Sequence, residues 1–375
     1  MGLKIYSTTF ESQSSYSDSV KKALDSVPSD RVCGLVFHGT SECVGYHQQL
    51  DDLKHTVCDS LGRAVPVTLV PQYLLPKGGV SLEVYMLEGA AAINIAEHNG
   101  VCYALINTDD ESLLFVEGIP ATDFAESVQM QSQEVFGRLE SVLSLCGFAV
   151  DDIVRQWNYI GNIVSHRSGK QNYQEFNDAR TSYYKSGLWR NGYPAATGIG
   201  ASGDGIIVGG IAFKKLGEQS ACIYPIDNPL QVAAHVYSKR VLIDDAVDAV
   251  KSTPKFERAK LIETSRGACC FVSGTAAIRG EQSATSLSAA EQTVMTIENV
   301  EHLVSKENLM RYGCRPYDLR YAQLHVFIKY AEDYEAVRAV VEAAYPQLEV
   351  IYTIADVCRS ELLVEVEAIL GAYNL

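Results

Sequence analysis

Two segments of this 375-residue chain repeat each other at a fixed distance. LLFVEGIP at 113–120 and CCFVSGTA at 269–276 are apolar runs that each end in a glycine and a turn, at an offset of 156 residues. Each is followed by a helical segment, a strand, a second helical segment and two apolar runs, and placing Ile206 on Leu362 gives 156 again. Because one offset fits both ends, the sequence predicts a duplicated module of strands and helices.

A weaker third copy opens the chain. CGLVFHGT, the helical YHQQLDDLKHTVCDSLG, VPVTLVPQY and VSLEVYMLEG keep the order of the other copies, with one helix and one strand missing. The alternation of strands and helices predicts the α+β class, in which each module is a mixed sheet with helices on one face. We expect a degenerate module at 1–95, a second module at 96–218 and a third at 219–375.

The composition limits the possible partners. The net charge is −15 and the isoelectric point about 5.0, so nucleic acid and anionic membranes are disfavoured, and an anionic substrate needs a local cluster of Arg or Lys. Apolar runs are too short to span a membrane, and the start lacks a signal-peptide core, so we expect a cytoplasmic protein. The ten cysteines lack CxxC spacing, which predicts reduced thiols and no metal site.

One glycine motif is misleading. Gly198, Gly200 and Gly203 have the GxGxxG spacing of a dinucleotide-binding loop, which must open a helix. The residues that follow are GIIVGGIAF, a β-branched run. The segment therefore predicts a β-hairpin and no cofactor.

The last apolar run, ELLVEVEAIL at 361–370, carries two carboxylates in its middle. Side chains alternate along a strand, so Glu365 and Glu367 share one face, which in the simplest case is open to solvent. The offset of 156 places Gly209 opposite Glu365 and Ile211 opposite Glu367. Since one copy keeps this strand without an acid, we expect Glu365 to be functional.

These segments together resemble a known family. FVSGTA, a helix bearing Gln292 and the terminal VEVEA resemble the Rid (YjgF-type) fold, whose trimers have small-molecule pockets between neighbouring modules. QWNYIGNI, YQEFNDAR, YPAATGIGA, NPLQV, PKFERA, FVSGTAAI and CRSELLVEVEA, in that order, are similar to the chorismatases, which cleave chorismate to pyruvate and a ring product. The resemblance covers residues 110–375 and implies tandem Rid-like modules that form an internal pseudo-trimer, and hence a monomer.

The resemblance also implies a site for a small dianionic substrate, with no cofactor and no metal. Glu365 would protonate the enolpyruvyl group, because desolvation between two valines raises the pKa of a carboxyl. Cys358 matches a cysteine of the family members that form 3-hydroxybenzoate, and Arg180 and Arg359 are candidates for binding the substrate carboxylates. The other candidates for lining the pocket are Tyr173, Tyr237, Gly274 and Thr275.

Two other functions stay open. Rid-type imine or enamine deaminases share the glutamate of VEVEA, but they carry a carboxylate-binding arginine where Val350 stands in this chain. A non-catalytic ligand-binding protein is also compatible with the degenerate first module. His235, where the chorismatases usually have tyrosine, leaves the product subtype open.

Overall fold

The structure, a computed structural model, describes residues 2–10, 16–25, 27–39, 45–76, 79–166, 169–217, 221–238 and 252–373. Strands and helices are numbered here in chain order. The first part contains β1 Gly2–Phe10, α1 Tyr16–Leu24, β2 Val32–His38, α2 Tyr46–Leu61, β3 Val67–Val70, β4 Tyr73–Leu74 and β5 Val80–Glu88.

The second part follows without a break in the described chain. It contains β6 Asn94–His98, β7 Val101–Asn107, β8 Glu111–Pro120, α3 Val128–Leu145, β9 Ile153–Gly161, α4 Asn172–Tyr183, β10 Ala195–Ala201 and β11 Ile206–Lys215.

The third part contains the C-terminal strand. Its elements are β12 Ala221–Ile226, β13 Ala259–Thr264, β14 Gly267–Ala276, β15 Ile278–Arg279, β16 Gln282–Ser283, α5 Ala289–Val304, α6 Lys306–Arg311, β17 Arg320–Ile328, α7 Tyr334–Ala344, β18 Val350–Ile354 and β19 Val364–Tyr373.

The three large sheets share one strand order. The order is β1-β5-β2-β3 in the first sheet, and it recurs as β8-β11-β9-β10 in the second and β14-β19-β17-β18 in the third. In each run the last two strands pair in parallel, and the other pairs are antiparallel. The predicted α+β class and threefold repetition are therefore confirmed. The predicted boundary after 95 falls within β6 of the second sheet, and the one after 218 lies outside the described residues. Both stay predictions of where the modules divide.

The first module has the four strands and two helices that the other two share, so the predicted loss of one helix and one strand was wrong. The segment CGLVFH corresponds to β9 and β17, the second strands of their modules, rather than to β8 and β14. The elements thought missing are β1 and α1, which precede it. The segment GLKIYSTTF gives no strong strand signal, because it is half polar, unlike the apolar first strands of the other copies.

A β-bulge at the same place in two sheets fixes the register of the modules. In β14 the residues 273–274 lie opposite Glu367 on β19, between the pairs Val272–Ala368 and Thr275–Val366. In β8 the residues 117–118 lie opposite Gly209 on β11 in the same way. A bulge places two residues of one strand against one residue of its partner.

This register corrects the alignment of the last strands. Gly209 corresponds to Glu367, and Ile207 corresponds to Glu365, at an offset of 158 rather than 156. The predicted match of Gly209 with Glu365 was therefore wrong. A shift of two residues keeps every side chain on the same face of a strand, so alternation in the sequence could not reveal it.

The helices cover one face of each sheet, and the opposite faces meet at the centre of the molecule. Helix α3 packs on β8, β11 and α4, and α5 packs on β14, β19 and α7. At the centre the ring of Tyr85 lies 5.0 Å from that of Phe115 and 5.9 Å from that of Trp157, between centroids. The acidic face of β19 consequently faces other modules rather than solvent.

The glycine-rich segment 198–205 opens no helix. Gly203, with a φ of 82°, lies in the turn between β10 and β11. Both strands pair with β9, on its two sides, so the predicted hairpin was wrong although the segment is a strand, a turn and a strand.

Helices of membrane-spanning length and apolarity are not found in the described part of the chain.

Candidate active site

Glu365 lies on the inner face of β19, where the second and third modules meet. Its side chain is 5% exposed, and it lies so close to Gly274 of the β14 bulge that a Cβ added there would overlap its Oε1. Burial, and then the negative charge of Glu367, raise the pKa of Glu365 to about 8, while Arg258 and Arg155 oppose the shift. The carboxyl is therefore protonated at neutral pH, as a proton donor must be.

The bulge leaves room beside this carboxyl. The backbone N–H of Gly274 donates to Oγ1 of Thr197 at 3.0 Å, which joins β14 to β10 of the second module. Gly198, on β10, has the ring of Tyr173 over it, because a Cβ added there would lie 3.1 Å from Cε2. Gly198, Gly274 and Tyr173 all keep accessible surface. We infer that they line a space open to a small ligand.

Glu367 lies two residues further along the same face and has the opposite protonation state. It accepts hydrogen bonds from Nη2 of Arg155 at 2.5 Å, from Nε1 of Trp157 at 3.3 Å and from the hydroxyl of Thr197. Burial by itself would raise the pKa of Glu367, but the paired Arg155, the largest of the opposing causes, lowers it to about 2. Two adjacent carboxyl groups held in different states are typical of an acid–base site.

Arg180 brings a buried cation to the same boundary. It is 1% exposed, its Nη2 donates to Oδ1 of Asn177 at 2.5 Å, and its Nε has no hydrogen-bond partner. Carboxylates within the described ranges form no ion pair with it. Burial, and then Arg180, lower the pKa of Lys255, so the two cations are neighbours. A buried guanidinium without a counter-ion is suited to an anionic ligand.

Arg258, which the sequence analysis did not name, is a second buried cation. It is 2% exposed, and its Nη2 donates to the Val232 carbonyl at 2.7 Å and to the Tyr237 hydroxyl at 2.5 Å. Its charge lowers the pKa of Glu365, which indicates that the two groups are near each other. PKFERA, one of the segments that carried the family resemblance, contains Arg258 and Lys255, but nothing in the sequence singled out either side chain.

Cys358 lies at the same space. It keeps accessible surface, although burial and then the charge of Glu365 raise the pKa of its thiol to about 12. Burial also raises the pKa of Tyr173, and the next largest cause is Cys358. The thiol is therefore protonated, which disfavours a thiolate role. The structure thus brings together Glu365, Cys358, Gly274, Tyr173 and Arg180.

Arg359 and Tyr237 lie at one side of this group. Nη1 of Arg359 donates to the Glu281 carbonyl and to Oγ of Ser283, both at 3.0 Å. The Tyr237 ring lies between two guanidinium groups, 5.3 Å from that of Arg359 and 5.7 Å from that of Arg258. Arg359 is thus already hydrogen-bonded within the protein. It contacts the Tyr237 ring, and the hydroxyl of that ring accepts a hydrogen bond from Arg258.

Thr275 is placed differently from the other candidates. It is fully buried, and its hydroxyl donates to the Ser273 carbonyl at 2.9 Å. The structure therefore gives it a role in holding the bulge rather than in lining the space.

The boundary between the first and second modules contains a counterpart of this site. The N–H of Gly118 donates to Oγ1 of Thr68 at 2.7 Å, as the bulge glycine of β14 does to its threonine. Ile207 lies against this bulge, in place of a carboxyl group. Lys54 is paired with Glu117, between Nζ and Oε1 at 2.7 Å. The cation here is neutralised by the chain itself.

A separate apolar cavity lies between the modules at the far end of the sheets. Residues of all three modules line it, including Leu3, Phe213 and Phe271, and Arg266 is the one charged residue among them. None of the described residues that line this cavity carries a carboxyl group, so we place the candidate active site at Glu365.

Comparison with known proteins gives the family of this chain. Residues 85–212 match the family described as "Chorismatase FkbO/Hyg5-like, N-terminal". A 3-hydroxybenzoate synthase of Streptomyces hygroscopicus is 31% identical over 283 residues, which cover 73% of this chain and 77% of that protein. A chorismatase of Streptomyces rapamycinicus is 30% identical over 226 residues, which cover 58% and 64%.

A solved chorismatase has the same fold. Its crystal structure superposes with a TM-score of 0.70 at 24% sequence identity, and the match covers 99% of each chain. The resemblance inferred from the sequence segments is therefore confirmed, and with it the expectation of an enzyme. The chain belongs to the chorismatase family.

Proposed function

We propose that this chain cleaves chorismate to pyruvate and 3-hydroxybenzoate. The observation that carries the proposal is Glu365, a buried carboxyl with a pKa of about 8 at the boundary of two modules. Buried guanidinium groups lie around it, so a small dianion would find both a proton donor and counter-ions there. The relative that is named a 3-hydroxybenzoate synthase supports this choice of product.

Glu365 is the proton donor of the proposed reaction. It protonates the enolpyruvyl methylene carbon, and the ether bond to the ring breaks, with its electron pair completing the carbonyl of pyruvate. The neighbouring ring hydroxyl attacks the carbon that the ether oxygen leaves, and its proton returns to Glu365. The new ring ether then opens, as its oxygen takes up one proton and the ring loses one. The atoms of chorismate are thus divided between the two products, and no water is consumed.

Three cationic side chains bind the two substrate carboxylates in this proposal. Arg180 and Lys255 hold one, because Arg180 has no counter-ion among the described residues and its Nε is unpartnered. Arg258 holds the other, close to the proton donor. Arg359 contacts the Tyr237 ring, which also contacts Arg258, and so helps to position Arg258.

Cys358 directs the reaction towards the aromatic product by occupying space. Its thiol stays protonated, so it does not compete as a nucleophile. By filling one side of the pocket it excludes a water molecule, which would otherwise attack the protonated enol ether and give a dihydroxycyclohexadiene acid.

The test is to mix purified protein with chorismate and separate the products by chromatography. Pyruvate together with 3-hydroxybenzoate is the expected result. Pyruvate with a diene diol changes the subtype, and unchanged chorismate removes the proposal. An assay with 2-aminoacrylate in parallel tests the deaminase alternative, against which Val350 argues.

We also propose that one chain is the working unit. The groups at the site come from the second and third modules of the same chain, so no second copy is needed to complete it. Size-exclusion chromatography with light scattering should give a mass near 41.0 kDa, and a dimer or trimer would contradict it. The cytoplasmic location stays a prediction that cell fractionation tests.

A further inference from the structure

Three buried side chains with metal-ligating groups meet where the first and third modules touch, outside the active site. His38 on β2 and His325 on β17 are 0% exposed, and Glu83 on β5 is 1% exposed. A ring nitrogen of each histidine and one oxygen of Glu83 all lie within 4.8 Å of one another. Ligand atoms of one tetrahedral zinc ion lie about 3.4 Å apart, so shifts of less than about 1 Å in each side chain would bring all three onto one ion.

The hydrogen bonds of His325 decide which of its nitrogens carries the proton. Nε2 lies 2.8 Å from Oγ1 of Thr353, and that hydroxyl donates its single hydrogen to Oε1 of Gln72 at 3.0 Å. The amide of Gln72 is oriented by its own donation to the Gly200 carbonyl at 2.7 Å. The Thr353 hydroxyl can therefore only accept a hydrogen bond from His325, so Nε2 of His325 is protonated. In the neutral ring, Nδ1 then carries a lone pair.

That lone pair faces two carboxylates. Nδ1 of His325 lies 3.9 Å from Oε1 of Glu83 and 3.7 Å from Oε1 of Glu367, and it has no hydrogen-bond partner. A lone pair directed at two carboxylate oxygens in a dry site is unfavourable unless a cation lies between them.

His38 adds a second available nitrogen. Its Nε2 lies 2.9 Å from Oε1 of Glu83, whereas its Nδ1 is buried and without a partner. The centroids of the rings of His38 and His325 are 4.7 Å apart. Each imidazole therefore has one buried nitrogen, Nδ1, without a hydrogen-bond partner, and the two rings are neighbours.

The charges around the cluster also favour a cation. Arg155 is paired with Glu367, so that carboxylate has its counter-ion. Glu83 contacts the Tyr85 hydroxyl at 2.9 Å and the ring of His38 instead, and no Lys or Arg among the described residues forms an ion pair with it.

We propose that His38, Glu83 and His325 bind one divalent transition-metal ion, with Zn²⁺ the best fit. Two imidazoles and a carboxylate suit zinc, whereas Mg²⁺ and Ca²⁺ prefer oxygen ligands alone. Three protein ligands leave one position of a tetrahedral set for a water molecule. The Nε2–H of His325 bonded to Thr353 is the outer hydrogen bond that ligating histidines usually make. The ion joins the first and third modules and takes no part in substrate chemistry.

The site was hidden in the sequence because its ligands are far apart along the chain. His38 and His325 lie in different modules, and neither is in a short histidine or cysteine motif. The cysteine spacing, which predicted no metal site, concerns none of these residues.

The test measures the metal itself. Untagged full-length protein, purified without chelators and dialysed, is analysed by inductively coupled plasma mass spectrometry, and we expect about one zinc per chain. Protein stripped by a chelator in mild denaturant and refolded should gain thermal stability on addition of Zn²⁺, and Co²⁺ should give the strong visible absorption of a tetrahedral site. His325→Gln should lower metal affinity at least about tenfold. His302→Gln, at an exposed histidine, is the matched control and should bind as the wild type does.

Two outcomes would overturn the proposal. One is wild-type protein that holds no zinc as purified and shows neither a thermal shift nor cobalt absorption with excess metal. The other is equal binding by folded His325→Gln and the wild type. If His325→Gln does not fold, the measurements on stripped wild-type protein decide alone. Chorismate turnover is measured separately, so its absence leaves the metal result readable.

Discussion

Arg155 on β9 and Glu367 on β19 form an ion pair across the boundary of the second and third modules, with 2.5 Å between Nη2 and Oε2. Their side chains are 1% and 3% exposed. Removing one partner of such a pair leaves a buried charge alone and costs about 3–5 kcal/mol. The pair therefore fixes the relative position of β9 and β19, and it also fixes a negative charge two residues from Glu365.

Glu365→Gln should reduce chorismate turnover by about 10²- to 10⁴-fold, because the amide cannot donate the proton. The variant should stay folded, since glutamine has the shape of the neutral acid. Steady-state kinetics with circular dichroism checks both points, with Glu342→Gln, on an exposed ion pair, as the control. A rate near that of the wild type would end the role proposed for Glu365.

The same variant should change how stability depends on pH. The pKa of Glu365 is about 8 in the fold and near its ordinary 4.5 when unfolded, so the native state holds an extra proton between these values. Wild-type stability should therefore fall as pH rises from 4.5 to 8, and this part of the dependence should be absent from Glu365→Gln. Thermal melts of both proteins across this pH range measure the difference, and parallel curves would contradict the raised pKa.

Glu367→Gln should move the alkaline limb of the kcat/KM profile to lower pH. The negative charge of Glu367 helps to keep Glu365 protonated, so its removal lowers the pKa of the donor. If Glu367 had only a structural role, Glu367→Gln would lower the melting temperature without moving the pH profile of kcat/KM. Since Arg155 is left unpaired in this variant, Arg155→Met with Glu367→Leu is the control for stability, and we expect the double variant to melt above Glu367→Gln.

Arg180→Met should raise the KM for chorismate at least about tenfold, since a charged hydrogen-bonding partner of a substrate carboxylate is lost. Its stability should stay equal or increase, because a buried guanidinium without a counter-ion is costly to fold. Arg190→Met, at an exposed arginine, is the matched control. An unchanged KM would mean that Arg180 does not bind a carboxylate of the substrate.

Cys358→Ala should increase the share of diene diol among the products, because the smaller side chain admits water beside the protonated substrate. Cys358→Ser keeps the size and should keep more of the aromatic product. Quantifying both products by chromatography checks the ratio. Equal product ratios in the wild type and Cys358→Ala would show that the thiol does not direct the outcome.

Local signals in the sequence located much of this fold. The apolar runs at 113–120 and 269–276 lie in β8 and β14, and residues 364–370 of the last run lie in β19. The bulge register was not accessible, since a two-residue shift leaves alternation unchanged. Glu365, Cys358 and Arg180 could be named because they lie in segments that resemble the family.

Long-range contacts explain what the sequence could not provide. Arg155 contacts Glu367 across 212 residues of chain, and nothing in either segment indicates the other as its partner. Arg258 owes its importance to Glu365, which lies in a different strand, and Arg359 is occupied by hydrogen bonds to Glu281 and Ser283 that no local pattern predicts.

Because Glu117 already neutralises Lys54, the cleft between the first two modules has no charge left for a dianion, and Ile207 has no proton to offer. Repetition has thus given this chain three copies of the architecture, with the proposed reaction at one module boundary. Isothermal titration of the inactive Glu365→Gln variant with chorismate should accordingly reveal a single binding event per polypeptide, and velocity should rise hyperbolically with concentration, without sigmoidal behaviour.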